Sequence, residues 1–215
     1  MSTIASICAR GGSSGLPRKN VKLLHGRPLI AHTIAQAIAC PRIERVFVST
    51  DDPEIANIAR EAGAEVPFMR PGELATGSAP KLPVIEHVVC EVEALGVEVT
   101  RIVDLDPTSP LRWQQDIDAC IDLLDGGTDV VITGYPAEKN PYFNMVERKP
   151  DGNIGLVKTI EGGVVARQQA PAVYAMNASI YVWHRHTLAK GVWGGRVKLH
   201  VMPRERSIDI DTPID

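Results

Sequence analysis

Apolar residues along this chain fall into short blocks whose spacing alternates between that of strands and that of helices. Thr3–Ala9 is a brief apolar run that ends in Arg10-Gly11-Gly12-Ser13-Ser14-Gly15, the pattern of a buried strand feeding a glycine-rich turn. Pro28 opens a segment with apolar side chains at Ile30, Ile34, Ala37 and Ile38. That spacing predicts a helix, and proline suits its first turn. Arg45–Thr50 reads as a strand, and Asp51-Asp52 before Pro53 as the cap of a helix reaching about Ala62. A short strand at Glu65–Phe68 follows Gly63. Next come a helix over Pro83–Leu95, a strand at Arg101–Leu105, a helix at Asp116–Leu124 and a strand at Asp129–Thr133. Such alternation predicts an α/β fold, a mostly parallel sheet flanked by helices.

Beyond residue 134 the rhythm changes. Tyr142–Glu147, Ile154–Thr159 and Val164–Gln168 are short segments separated by Pro, Asp and Gly, which predicts hairpins projecting from the sheet. Ser179–Trp183 and Lys198–Met202 return to strand character, with a helix expected between them. No repeat or long linker divides the chain, so the expected plan is a single domain over 1–215 with a β-rich insertion near 135–175.

Composition narrows the function classes. The 215 residues are 44% hydrophobic and 23% charged, values of an ordinary globular domain. The 23 Lys+Arg against 26 Asp+Glu leave a net charge of −3, which argues against a nucleic-acid surface. No run approaches the roughly 18 apolar residues of a membrane span. Met1–Cys8 is too short and uncharged for a signal peptide. Cys8, Cys40, Cys90 and Cys120 are widely spaced in apolar contexts and read as buried free thiols of a reducing cytoplasm. His32, His87 and His200 lack ligand spacing.

Two segments carry candidate chemistry. Ligands on open parallel sheets bind beyond the carboxyl ends of the strands, where Arg10 to Asn20 is expected to lie. Its glycines let backbone N–H groups approach an anion, and Arg10, Arg18 and Lys19 supply charge. The alternative is a solvated surface turn. Neither GxxxxGK[ST] nor GxGxxG is present, so a P-loop ATPase and a dinucleotide dehydrogenase lack support. The second segment is Ser207-Ile208-Asp209-Ile210-Asp211-Thr212-Pro213. On a strand, Asp209 and Asp211 would share one face and repel unless a cation lay between them. Such hard oxygen donors suit Mg²⁺ completed by water and phosphate. An exposed acidic strand end, or a helix cap from Asp211, is the alternative.

Taken together, these segments resemble the CMP-sialic acid synthetases (acylneuraminate cytidylyltransferases). The matching stretches are Ile7-Cys8-Ala9-Arg10-Gly11-Gly12-Ser13-Ser14-Gly15-Leu16-Pro17-Arg18-Lys19-Asn20, Ser49-Thr50-Asp51-Asp52, Arg70-Pro71 with Glu73-Leu74-Ala75, Asp106-Pro107-Thr108-Ser109-Pro110-Leu111-Arg112, Met176-Asn177-Ala178-Ser179-Ile180-Tyr181 and Asp209-Ile210-Asp211. A narrower resemblance to the bacterial legionaminic-acid branch rests on Ala79-Pro80-Lys81-Leu82-Pro83-Val84, Asp104-Leu105-Asp106, Asn140-Pro141-Tyr142-Phe143-Asn144 and Arg167-Gln168-Gln169-Ala170-Pro171.

The resemblance implies a Rossmann-like nucleotidyltransferase sheet of the GT-A-like kind. It also implies transfer of CMP from CTP to the anomeric hydroxyl of a nine-carbon 2-keto sugar acid, with release of pyrophosphate. Arg10, Lys19 and Asp211 would be catalytic. Ala9, Arg10, Gly11, Gly12, Ser13, Lys19, Asn20, Arg70 and Lys81 would hold the nucleotide. Asp106, Arg167, Gln168, Asn177 and Tyr181 would form the sugar pocket, and Asp209 with Asp211 would carry Mg²⁺. A turn role for Asn177 and a core role for Tyr181 are the plain alternatives. The insertion matches the family's dimerisation arm in position, implying a homodimer in which Arg167 serves the neighbouring site, with no nucleic-acid or membrane partner.

Three departures stand out. Ser14 replaces a common lysine, Gly77 an acidic residue, and Asp106 the glutamine of sialic-acid-using members; with Asp104, Asp106 would then add a metal ligand. Competing readings are a 3-deoxy-octulosonate cytidylyltransferase and a catalytically silent nucleotide-sugar binding protein.

Overall fold

A computed structural model describes residues 2–12 and 15–215; Met1, Ser13 and Ser14 lie outside it. The elements in chain order are β1 (Thr3–Cys8), β2 (Leu23–Leu24), β3 (Arg27–Pro28), α1 (Leu29–Ile38), β4 (Arg45–Ser49), α2 (Pro53–Glu61) and α3 (Lys81–Ala94). They continue with β5 (Arg101–Leu105), α4 (Gln114–Leu123), β6 (Val130–Pro136), β7 (Val146–Arg148), β8 (Ile154–Leu156), β9 (Tyr174–His184) and β10 (Val197–Val201).

Six strands form the central sheet in the order β10-β6-β9-β5-β1-β4. β1 runs parallel to both β4 and β5, and β10 runs parallel to β6. β9 alone is antiparallel, inserted between β5 and β6. Alternate residues of each strand serve opposite faces. Ile7, Val48, Val103 and Val182 pack with α1, α2 and α4 through Ile30, Ile34, Ile55 and Ile117. Ile4, Phe47, Ile102 and Trp183 pack with α3 through Ile85, Val88, Val89 and Val92. Near-continuous apolar runs in β1 and β4 follow from this burial on both faces.

Local chemistry explains the helix starts. The Asp52 carboxylate accepts from Glu54 N at 2.9 Å and from Ile55 N at 3.2 Å, two of the donors that open α2. At α4, Asp116 Oδ2 accepts from Trp113 N at 2.9 Å. The intervening loop after β5 is braced by the buried Arg112, whose guanidinium donates to the carbonyls of Ser109 and Ser179 at 3.0 and 2.9 Å and to that of Asp106. Gln36 of α1 adds bonds to the carbonyls of Pro110 and Arg112 at 2.6 and 3.0 Å. The loop that follows β5 is therefore fixed from within the core.

Several expectations are corrected. Glu65–Phe68 makes a single bridge, Phe47 to Glu65, and no extended strand; Pro67 cannot donate to a ladder. Val164–Gln168 is a turn leading into a 3₁₀ helix at Arg167–Gln169. The helix expected between the last two strands is a 3₁₀ turn at Arg185–Lys190. β9 begins at Tyr174, earlier than expected, and its register against β6 shifts between Ile132 and Gly134. That irregularity breaks the alternation by which a strand is read. All four cysteines are free, but Cys90 is exposed and Cys8 half-buried; only Cys40 and Cys120 are buried. Among the described residues no helix is long and apolar enough to cross a membrane.

Candidate active site

Beyond the carboxyl ends of β1, β4 and β5 lies a polar cleft with two lobes of about 250 and 220 Å³. Cys8, Arg10 and Asp106 border both. Gly15, Lys19, Asn20, Thr108, Asp209 and Asp211 line the first, and Arg70, Gly77, Ala79 and Lys81 the second.

The glycine loop is drawn tight at both ends. Gly11 N donates to Asp51 Oδ1 at 3.0 Å, and a Cβ at Gly11 would sit 2.7 Å from Asp52 Oδ2. A Cβ at Gly15 would meet the Asp211 carbonyl oxygen at 2.6 Å. Any side chain there would push the loop from the acidic tail. Ala9 is buried beneath the loop, with its N–H on the Ser49 carbonyl at 3.0 Å, while Gly12 is exposed. Ser13 lies outside the described residues. Asn20 is buried; its Nδ2 donates to the Arg10 carbonyl at 3.1 Å, and its Oδ1 has no partner among the described residues.

The cations divide. Arg10 borders both lobes, and its guanidinium pairs with no carboxylate among the described residues. Lys19 Nζ donates to Asp211 Oδ1 at 2.7 Å and to the Ile210 carbonyl at 3.2 Å. Arg18 departs from expectation. Its backbone is left-handed, φ 59°, and its guanidinium pairs with Asp52 and Glu54 at the start of α2. There it holds the Asp52 carboxyl below the usual carboxylate range against the opposing effect of burial. Arg18 is therefore no cation of the cleft. Arg70 is buried, bonded through Nε to Ser49 Oγ at 3.0 Å and through Nη2 to the Ser49 carbonyl at 2.5 Å.

The acidic segment is not a strand, contrary to the sequence reading. β10 stops at Val201, and a 3₁₀ turn at Arg204–Arg206 leads into an extended tail outside the sheet. Pro203 ends the ladder by lacking an N–H. The tail is nevertheless fixed: Ile210 N donates to the Thr108 carbonyl at 2.8 Å, and the Thr108 hydroxyl contacts the Asp209 carboxylate. Burial, with the charges of Asp106 and Asp211 nearby, holds the Asp209 carboxyl above its ordinary value. A cation between Asp209 and Asp211 would relieve that repulsion.

Asp104 and Asp106 do not enlarge the acidic pair. Among the described residues no three His, Cys, Asp or Glu side chains gather as a metal site. Lys81 lies between the two, 2.7 Å from Asp104 and 3.1 Å from Asp106. Asp104 is fully buried and also accepts from Ser6 Oγ at 2.6 Å. Burial would raise the Asp106 carboxyl, but the Lys81 charge and bonds from the Thr108 hydroxyl and N–H prevail, bringing it down to about 2. Lys81 is thus one cation shared by two acids. Burial pushes the neighbouring Cys8 thiol up to about 12, with Asp104 reinforcing it.

The expected sugar residues scatter. Tyr181 stacks on Trp183 with ring centroids 5.5 Å apart and lies 5.1 Å from Lys81 Nζ, beside a small apolar pocket that also includes Leu82, Ile85 and Val192. Asn177 is buried and bonded to Thr133 Oγ1 at 2.6 Å and Ser207 Oγ at 2.9 Å. Its amide knits β6, β9 and the tail together, a framework position. Arg167 and Gln168 are exposed on the insertion, away from both lobes, with Arg167 Nη2 on the Glu138 carbonyl at 2.7 Å. Thr108 is the residue of the cleft whose part the sequence did not single out; it sits in Asp-Pro-Thr-Ser-Pro, which signals only a turn.

Comparison with known proteins agrees with this architecture. A family profile described as cytidylyltransferase matches residues 4–199. A post-translational flagellin modification protein B of Campylobacter coli is 36% identical, covering 99% of this chain and 91% of its own length. A CMP-N,N'-diacetyllegionaminic acid synthase of Campylobacter jejuni is 38% identical over the same shares, 99% and 91%. Among solved structures, a CMP:2-keto-3-deoxy-manno-octonic acid synthetase complexed with CTP superposes with a TM-score of 0.72 at 17% identity, covering 100% of this chain and 95% of that one. The likeness in fold and the match along nearly the whole sequence place this chain in the cytidylyltransferase family.

Proposed function

We propose that this cytidylyltransferase moves CMP from CTP to the anomeric hydroxyl of a nonulosonic acid, with legionaminic-type sugars preferred over sialic acid, and releases pyrophosphate. The observation that carries the reading is the meeting of Lys19 with Asp211 at 2.7 Å, which joins an anion-binding loop to a carboxylate pair in one cleft. The preference in sugar follows the similarity to the Campylobacter jejuni synthase and the charged Lys81–Asp106 pair in the second lobe.

Phosphoryl chemistry of this kind depends on placing the reactants and neutralising charge, with little covalent help from protein. In this reading Arg10 and Lys19 lie against the triphosphate, and the N–H groups of the glycine loop complete its cradle. Asn20 and Arg70 hold the nucleoside. Lys81 keeps Asp106 ionised and, paired with Asp104 as well, limits the negative charge of the two acids beside the phosphates. Asp209 and Asp211 would hold Mg²⁺. Two carboxylates lining one cleft, the Asp209 carboxyl held above its ordinary value by burial and by the charges of Asp106 and Asp211, fit an ion that takes one or two protein carboxylates. Held there, the ion would supply positive charge against the charge that develops on the phosphates during transfer.

The insertion is proposed as the homodimer contact. Val146, Ile154, Val165 and Tyr174 expose apolar surface along it, and Arg167 and Gln168 stand free of this chain's own cleft, available to a neighbour's. A cytoplasmic location accords with four free thiols and the use of CTP.

Pyrophosphate release from CTP and Mg²⁺ is expected with a legionaminic-type acid, more slowly with N-acetylneuraminic acid, and least with 3-deoxy-octulosonic acid. Release with none of them would defeat the transferase reading in favour of a binding protein. Fastest release with the eight-carbon acid would transfer the assignment to that sugar. Lys19→Ala is expected to raise the KM for CTP by about tenfold and to lower kcat, as befits loss of a charge-assisted phosphate contact. Unchanged kinetics in that variant would remove Lys19 from the triphosphate.

A further inference from the structure

We propose that Arg206 is a positioning residue: clamped between Trp113 and Asp116, it sets where Asp209 and Asp211 stand in the cleft. This rests on the reading of those two aspartates as the metal-holding pair.

The clamp lies outside both lobes. Arg206 Nε donates to Asp116 Oδ2 at 3.0 Å and Nη2 to Asp116 Oδ1 at 2.9 Å. On its other side the guanidinium lies over the Trp113 ring, 4.4 Å from the centroid. Asp116 is 1% exposed and also accepts from His200 Nε2 at 3.2 Å and from Trp113 N at 2.9 Å. Four donors therefore converge on one carboxylate, about its full accepting capacity. The anchor itself cannot drift, because it belongs to the first turn of α4 and its neighbour His200 belongs to β10.

What hangs from this anchor is the tail. Residues 203–215 take no part in the sheet, so no ladder fixes their course. Arg206 precedes Asp209 by three positions, a reach of about 10 Å in extended chain. Between them Ser207 is tied to Asn177 Nδ2 at 2.9 Å and to the Pro203 carbonyl at 2.8 Å. Beyond, Thr108 takes the Ile210 N–H at 2.8 Å and the Asp209 carboxylate. Thr108 and Asp116 both belong to the segment leading from β5 into α4, the one braced by Arg112. The acidic pair is thus registered to a single rigid piece of chain at two points. A planar fork that pairs with a carboxylate and stacks on an indole is a task for arginine; lysine would keep the charge and lose the geometry.

Arg206→Gln, Arg206→Lys and, separately, Asp211→Asn test this on the full-length chain. Hydrogen exchange of the 207–212 amides, measured without nucleotide or metal, is expected to quicken in Arg206→Gln while exchange in β1, β4 and β5 stays as in the parent. The Mg²⁺ concentration for half-maximal turnover is expected to rise about tenfold in Arg206→Gln, with the KM for CTP at saturating Mg²⁺ changed by less than about twofold. Arg206→Lys is expected to restore only part of both. Parent-like exchange and Mg²⁺ dependence in Arg206→Gln, or exchange quickened equally throughout the sheet, would overturn the proposal while leaving the acidic pair in place. Should Asp211→Asn itself keep the parent's Mg²⁺ dependence, the metal reading falls and the positioning role falls with it.

Discussion

Asparagine in place of Asp211 is expected to lower kcat on the order of 100-fold, the scale of losing one charged stabiliser of a transition state. The fold should hardly notice. The Asp211 side chain is 66% exposed and its partner is Lys19; an ion pair of that exposure contributes about 0–1 kcal/mol. For a domain of this size the melting temperature should then move by no more than about 4 °C. Asparagine keeps the size of the side chain and a hydrogen-bond acceptor for Lys19, and discards only the negative charge. Steady-state kinetics over a range of Mg²⁺ and a thermal scan check both halves. Full turnover would take Asp211 out of the chemistry, and unfolding would show that the tail does more for the fold than its exposure implies.

Arg112→Met should do the opposite, with a stability loss of about 3–5 kcal/mol, the scale of removing one side of a buried polar network. Arg112 is 2% exposed, and burial draws its guanidinium down to about 10 despite the acids nearby. Methionine would fill much of the volume and relieve the chain of a buried charge. The Ser109 carbonyl would lose the Arg112 donor outright, and those of Asp106 and Ser179 would each lose one of their donors, keeping the Thr33 hydroxyl and Ser109 N–H and the Asp106 N–H respectively; backbone acceptors cannot be replaced by better packing. Urea unfolding with an unchanged m-value, and a midpoint in heat about 10 °C lower, would bear this out. A loss below about 1 kcal/mol would mean that the loop after β5 is held instead by Gln36 and by the Thr33 hydroxyl of α1, which donates to the Asp106 carbonyl at 3.3 Å.

The outcome follows from where the signals in a sequence are local. β1, α1, β4, α2, β5 and α4 lie close to their expected bounds because each has an apolar period and a chemical start: Pro28 before α1, Asp52 before α2, glycine after β1. The tail misled because Asp-Ile-Asp alternates like a strand although it pairs with no strand among the described residues. Its course is set by Thr108, Asn177 and Asp116, which are far away in sequence. Arg18 misled for a related reason. Its position beside Lys19 gave it the look of a phosphate ligand, whereas the left-handed backbone at that residue turns it to Asp52 and Glu54. Charge could be read from the sequence; direction could not. Likewise nothing in the sequence joins Asp106 to Lys81; only the fold brings the two together.

The place of β9 between β5 and β6 carries a consequence for how this chain can diverge. β6 leads into the insertion and β9 leads out of it, and the two pair as far as Pro136 and Tyr174. The ends of the insertion are thus zipped together by the sheet itself. Closure of a loop so pinned depends only weakly on its length, each doubling costing about 0.6 kcal/mol. Residues between those ends are free to lengthen, shorten or change sequence over generations at small thermodynamic expense, while the loop, the tail and the carboxylates at the other strands' ends keep their spacing. A lineage can in this way revise whom the protein meets without revising what it does.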